Sequence, residues 1–290
     1  MINNFTLYSL TVLIWGTTWY VIKFQLGVVE PDVSVAYRFL LASVIMLVYC
    51  LVRNLKLRFS VFEHVFFLVQ GFFLFCLNYI LFYLAAVELT TGLIAVVFSG
   101  MLIFNTFNSA LVFKTPITGS ILLAALMGMT GITLIFLPEL KSLSQTDKTL
   151  FALALSVAGT YSASVGNMVS IRNQRRQLPV LQANAWGMLY GALFTCVFAW
   201  MNGSAFVFDF RPAYIISLVY LSIFGSVIAF WCYLTLLGRI GAGNAAYATV
   251  LFPIVALLIS TVFEGYQWSL LVFIGVLVSI AGNIIVLRKA

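Results

Sequence analysis

The chain is 290 residues long, 63% hydrophobic and only 8% charged, with a mean hydropathy of +1.11. A water-facing surface needs roughly 25% charged side chains, so a soluble domain, a disordered chain and a disulfide scaffold are all excluded. The net charge of +7 must then come from how fifteen Lys and Arg are placed around a membrane, and a nucleic-acid partner is not expected.

Taken in order, the apolar runs lie at 5–23, 33–52, 64–87, 92–113, 119–137, 149–171, 180–201, 214–237, 244–263 and 268–287. At roughly 20 apolar residues per crossing, ten spans use about 200 positions and leave only short links. The runs are continuous and lack the two-residue alternation of a membrane barrel, so they predict helices. The first run has no basic flank or A-x-A site before it and reads as a retained span rather than a signal peptide. Cys50, Cys76, Cys196 and Cys232 all fall inside apolar runs and form no metal-ligand pair, which suits core or lipid-facing positions. No cofactor or metal site is expected.

The links on the N-terminal side carry Arg53, Lys56, Arg58, Lys114, Arg172, Arg175, Arg176, Arg239, Arg288 and Lys289. The opposite side carries Lys23, Lys141, Lys148 and Arg211, whereas all acidic residues except Glu63 fall on that side. The positive-inside rule therefore predicts an inner-membrane protein with both termini in the cytoplasm.

The halves resemble each other at a spacing of about 150 residues. Tyr83-Leu84 recurs as Tyr233-Leu234, Gly92 as Gly243 and Gly131 as Gly282, and Trp15-Gly16-Thr17-Thr18 lines up with Ala158-Gly159-Thr160-Tyr161. Five spans per half is an odd number, so the second half is expected upside down relative to the first. The expected architecture is all-α: ten transmembrane helices in two inverted five-helix repeats, 1–138 and 149–290, around a central cavity. Such inverted repeats are a transporter arrangement with the substrate near the midplane.

The run Trp15-Gly16-Thr17-Thr18-Trp19-Tyr20-Val21-Ile22-Lys23 resembles the W-G…K first span of the EamA family in the drug/metabolite transporter superfamily. Pro31 to Arg38-Phe39 is similar to that family's second span, and Tyr220, Ala229, Ala245, Pro253, Glu264, Gly275 and Gly282 follow its second-half pattern. The first half departs from it: Gly100-Met101 stand where a proline is common, and Phe113 where an acid is. The resemblance implies a ten-helix basket that exports a small metabolite or drug, such as an amino acid, a nucleoside-like solute or a cationic drug.

Ionisable groups inside hydrocarbon are costly and mark function, yet Lys23, Glu88 and Glu264 fall at span ends. The absence of a midplane Asp, Glu or His favours facilitated diffusion or exchange over carboxylate-based proton antiport. Arg38 lies about 8 Å inside span 2, by the helical rise. It either takes a carboxylate or phosphate with its planar fork, or snorkels outward to Asp32, Glu88 or Glu264. The substrate-binding candidates are aromatic residues and amides near mid-depth: Trp15, Trp19, Asn78, Tyr79, Tyr83, Asn105, Tyr161, Asn167, Trp231 and Tyr247. Such a box suits a flat, zwitterionic or cationic solute; the competing reading is helix-packing glue. Gly92, Gly243 and Pro253 are the expected gating points, with spans 3–4 and 8–9 moving as hairpins. Gly187-x-x-x-Gly191 reads as a close-packing face.

A transporter with a small-molecule substrate, acting in the lipid bilayer as a monomer or homodimer, is thus the leading reading. A lipid or lipid-linked-sugar flippase is the alternative. An intramembrane transferase is a minor one, because the chain has one His and neither H-E-x-x-H nor G-x-S-x-G.

Overall fold

The computed structural model describes residues 2–89, 94, 97–137, 141, 147–263 and 268–287. The described residues are 84% helix and contain no strand. Seven helices are long and apolar enough to cross a membrane: α1 (Asn4–Gln25), α2 (Pro31–Val52), α3 (Val61–Ala86), α6 (Asp147–Arg175), α7 (Val180–Met201), α8 (Pro212–Ile240) and α9 (Ala242–Phe263). Among the described residues there are also three shorter apolar helices: α4 (Val97–Phe113), α5 (Gly119–Ile135) and α10 (Leu270–Ile285).

Local chemistry sets the helix starts. Asn3 caps α1 by accepting the Thr6 N–H at 2.7 Å, which satisfies a donor the helix cannot. Ser60 and Glu63 form a reciprocal capping box at α3. Pro31 and Pro212 open α2 and α8, where a missing N–H costs nothing. The link between α8 and α9 turns at Gly241, whose φ of +86° is a left-handed value that favours glycine. Within α9 the regular helix pauses at Tyr247 and restarts at Ala248.

Two features were not apparent from the apolar pattern. Both α3 and α8 widen into π-helix midway, over Gly71–Leu77 and Leu221–Ile228, and the second segment starts 150 residues after the first. Each has a carbonyl bonded by a donor from the opposite half of the chain: Ser162 Oγ donates to Phe73 O at 2.8 Å, and Trp15 Nε1 to Gly225 O at 3.2 Å. An inserted residue frees backbone groups, and these donors satisfy one carbonyl in each segment.

The helix pairs show a regular exchange. α2 packs on α7, and α5 on α10. The α1–α8, α1–α9 and α2–α8 pairs have counterparts in α6–α3, α6–α4 and α7–α3. Swapping each helix with the one five later exchanges these pairs, whereas the α6–α8, α6–α7, α5–α9 and α9–α10 contacts have no counterpart of comparable extent among the described residues.

Glycines allow the tightest approaches, as helices in lipid require. A Cβ on Gly71 would collide with the Gly187 carbonyl, and one on Gly191 would lie 2.6 Å from the Phe75 Cβ. The 187–191 face is thus where α7 meets α3. At the α5–α10 crossing, a Cβ on Gly131 would lie 2.5 Å from the Gly275 carbonyl. Cys50, Cys76 and Cys232 are buried free thiols and Cys196 is half-buried.

Candidate functional site

Between α1, α2, α3, α4, α6, α8 and α9 lies a cavity of about 290 Å³. Its mouth is at the helix ends opposite the N-terminus, where exposed Lys23 of α1, Leu26 just after it and Ala86 of α3 line it. Its inner end is aromatic. The Trp15 ring lies 5.2 Å from Phe230, 5.0 Å from Tyr233 and 6.4 Å from Phe252. Below this layer, toward the N-terminal side, Leu7, Tyr8 and Val12 join Leu234, Leu237, Ala245 and Ala246 in one buried cluster that closes the path.

The Trp15-Gly16 pair divides its work by helical rotation. Trp15 faces the cavity, while a Cβ on Gly16 would collide with Val255, so the glycine brings α1 against α9. Thr18, one turn beyond Trp15's neighbour, also lines the cavity. Pro253 is buried within α9. Lacking an N–H, it withdraws the helical donor from the carbonyl of Thr249, a lining residue.

A buried amide hub underlies the inner wall. Asn105 Nδ2 donates to Tyr233 Oη at 3.3 Å and to Ala242 O at 3.4 Å; Asn167 Nδ2 donates to Asn105 Oδ1 at 3.3 Å and to Tyr233 Oη at 3.2 Å. Of the two amides only Asn167 lines the cavity, and Asn105 holds it from behind.

Arg38 is 5% exposed and also lines the cavity. Its Nε donates to Ser226 Oγ at 2.8 Å, and its carbonyl accepts from Ser222 Oγ at 3.1 Å. The guanidinium carbon lies 5.5 Å from the Phe39 ring centroid and 5.6 Å from that of Tyr79. The ion pair recorded among the described residues is Arg211 with Asp209, in the link before α8, so Arg38 has no carboxylate partner among them. Asp32 is instead used by Val33 N–H and by the Ser204 hydroxyl.

Of the aromatic and amide candidates, the cavity gathers Trp15, Asn78, Tyr79, Tyr83 and Asn167, and it adds Lys23 and Arg38 from the charged ones. Others lie elsewhere. Tyr161 is 47% exposed, edge-on to Phe104 at 5.5 Å, because α6 turns Ala163 and Asn167 inward instead. Trp231 packs beside the main core, since a helix that aims Phe230 and Tyr233 at the cavity aims their neighbour away. Tyr247 is fully buried in the α5–α10 seam, donating to Ala124 O at 3.0 Å. A Cβ on Gly243 would meet Thr106 Oγ1 at 3.0 Å, which puts that glycine against α4 rather than the cavity. Glu88 is exposed beyond the lining. Trp19 lies on α1 with its side chain outside the description, and Gly92 and Glu264 lie outside the described residues. The lining residues that sequence reasoning passed over as candidates include Thr18, Phe98, Met101, Phe230, Tyr233, Thr249 and Phe252. The Tyr83/Tyr233 repeat was the available signal for Tyr233.

Several buried polar residues are packing glue. Asn108 Nδ2 donates to Ser164 Oγ at 2.9 Å, Ser43 Oγ to Ala185 O at 2.8 Å, and Gln70 joins Asn184 and Asn173 at 3.0 Å each.

An apolar bundle enclosing a mainly apolar, one-sided cavity with a few polar side chains is a multi-pass membrane protein of the transporter type. The EamA-like transporter family matches residues 5–137 and again 149–288, so the chain belongs to that family, within the drug/metabolite transporter superfamily. It is 23% identical to the protein PagO of Salmonella typhimurium over 91% of this chain and 86% of that one. It is 21% identical to an uncharacterized transporter of Buchnera aphidicola, over 86% and 82%. A protein of known crystal structure superposes with a TM-score of 0.83 at 17% identity, covering 98% of this chain and 96% of its own, which establishes likeness of fold.

Proposed function

We propose that the chain moves a small organic solute across the inner membrane by alternating access, as an exporter, facilitator or exchanger. The cavity is its binding site. The single observation that carries this reading is a cavity of about 290 Å³ with an aromatic and amide inner end, lined by exposed residues at one end and packed shut at the other. Its volume is near the lower end of the roughly 300–1,000 Å³ of small-molecule sites.

The family match in two copies, the helix contacts that persist under a five-helix exchange, and the paired π segments support ten spans in two inverted repeats, 1–138 and 149–290. In such a bundle the conformation with the opposite end open follows by exchanging the roles of the halves. The excess of Lys and Arg on the terminal side supports cytoplasmic termini, which makes the conformation described here open to the outside.

Counterflow in proteoliposomes tests this reading. Vesicles preloaded with a substrate are expected to accumulate its labelled form transiently and saturably. A panel of amino acids, nucleosides and amines that enters no faster than into protein-free vesicles would sink the proposal.

A further inference from the structure

Two glutamines stand at matching places in the two halves, at opposite ends of the bundle. Gln25 is the last residue of α1, beside the cavity mouth, and Gln174 the next-to-last residue of α6, on the N-terminal side. They are 149 positions apart, close to the spacing of the paired π segments.

Their hydrogen bonds differ. Gln174 Nε2 donates across to the Leu234 carbonyl of α8 at 2.8 Å, and along its own helix to Ser170 Oγ at 3.4 Å. A carbonyl can only accept, which fixes the orientation of this amide. A Cβ on Gly238, one turn beyond Leu234, would collide with the Gln174 amide, so Gly238 forms its seat. Gln25 is turned toward the opposite end of the same helix. Its Nε2 donates to the Tyr214 carbonyl at 3.0 Å and to the Ser217 hydroxyl, in the first two turns of α8.

The two helix pairs that these amides join also differ. The α1–α8 pair held by Gln25 has a packed counterpart, α6–α3. The α6–α8 pair held by Gln174 is packed, whereas its counterpart α1–α3 has no contact of comparable extent among the described residues. There α1 and α3 flank the open cavity through Lys23, Tyr83 and Ala86. Gln174 therefore spans a pair that parts when the N-terminal end opens, and Gln25 stands at the pair that then meets. At the repeat spacing, Leu234 and Gly238 match Leu84 and Glu88 at the outer end of α3. A peptide carbonyl has two lone pairs, so that of Leu84 can take a side-chain donor in addition to any helical one. Glu88 is exposed and adds a second acceptor where the other half has only a glycine.

We propose that Gln174 and Gln25 are paired latches for the two ends of the cavity, one engaged and the other held aside. Gln174 ties α6 to α8 and keeps the N-terminal end shut. When it lets go and the outer end closes, Gln25 leaves Tyr214 and Ser217 for the Leu84 carbonyl and the Glu88 carboxylate. The latches rest on the alternating access proposed above and name residues that control it. Neutral amides change partners without gaining or losing a proton, so this exchange needs no ionisable group inside the bilayer.

The test uses the full-length protein in liposomes with Gln25→Cys and Glu88→Cys as a reporter pair. Disulfide formation under a mild oxidant is followed by mass spectrometry of the cleaved peptides, with Gln25→Cys alone as the control. The pair meets only when the outer end is shut, so the rate scales with the shut population even where that is small. Gln174→Met keeps the length of the side chain and loses the donor. It is expected to raise the rate about threefold, the worth of one hydrogen bond between helices in lipid. Gly238→Ala, which evicts the amide while leaving Gln174 in place, should act in the same direction and decides the matter if Gln174→Met fails to fold. The disulfide should halt counterflow, and a reductant should restore it. A rate unchanged by the folded Gln174→Met variant, or no disulfide in any background, would overturn the latches; wild-type counterflow would then leave the transport reading standing. A rate that responds in protein whose folded wild type shows no counterflow would instead remove the transport reading and keep the exchange of latches.

Discussion

Asn167 and Asn108 are both buried amides on facing helices, and they illustrate how little residue type says about role. Asn108 spends its Nδ2 on Ser164 and stitches α4 to α6. Asn167 is part of a hub, lines the cavity, and keeps a buried Oδ1 unpaired. Replacing Asn108 by Ala is therefore expected to cost about 1 kcal/mol of stability, the net worth of one hydrogen bond, without altering half-saturation. Asn167→Ala should instead raise half-saturation severalfold. Thermal melts and concentration-dependent counterflow on the two variants separate these outcomes. Trp15 serves both purposes: its ring contacts three aromatic neighbours and its N–H meets the π-segment carbonyl of Gly225. Truncation by Trp15→Ala opens the inner end and is expected to cost roughly 3–5 kcal/mol, seen as a lower melting temperature together with lost transport.

Among elements, the glycine contacts and the interrupted helices matter most. Gly191→Leu forces a side chain against Phe75 and Gly71 and should destabilise by roughly 1–3 kcal/mol or more, as overpacking does. Gly119→Ala, which meets nothing within 4 Å, is the control expected to leave melting unchanged. The Gly187-x-x-x-Gly191 spacing was visible beforehand, and its partner Gly71 was not. The helices themselves were legible because each is a long apolar run, although α2, α3 and α8 start at Pro31, Val61 and Pro212, two or three residues before the expected 33, 64 and 214. The π segments were not, because one extra residue in a turn leaves an apolar run looking the same. In α9, Pro253→Ala would return a donor to the Thr249 carbonyl. We expect a higher melting temperature and slower counterflow if bending of α9 at that point is part of the cycle; unchanged rates would exclude this bend from it.

For the molecule as a whole, the distribution of charge bears on coupling. Among the described lining residues the charged ones are Lys23 and Arg38, and no carboxylate or histidine is there to carry a proton. The expected behaviour is counterflow that changes less than twofold when a pH gradient is imposed across the vesicle. Acceleration of tenfold would require a proton-carrying group and would refute this.

Composition alone dictated that the chain lives in a membrane, because 8% charged residues cannot cover a water-facing surface. The W-G first span and the second-half pattern likewise pointed to the family, and the mid-depth aromatics and amides to the kind of cavity. Which of those residues face the cavity depended on the packed bundle. Neighbours on a helix point about 100° apart, so Phe230 and Tyr233 turn inward while Trp231 does not, and Ala163 and Asn167 turn inward while Tyr161 faces out. A pattern of apolar residues in lipid carries no such phase, since the outer face of every span is as apolar as its inner one. The phase comes from glycine contacts between helices, and those join residues far apart in the chain, such as Gly71 with Gly187.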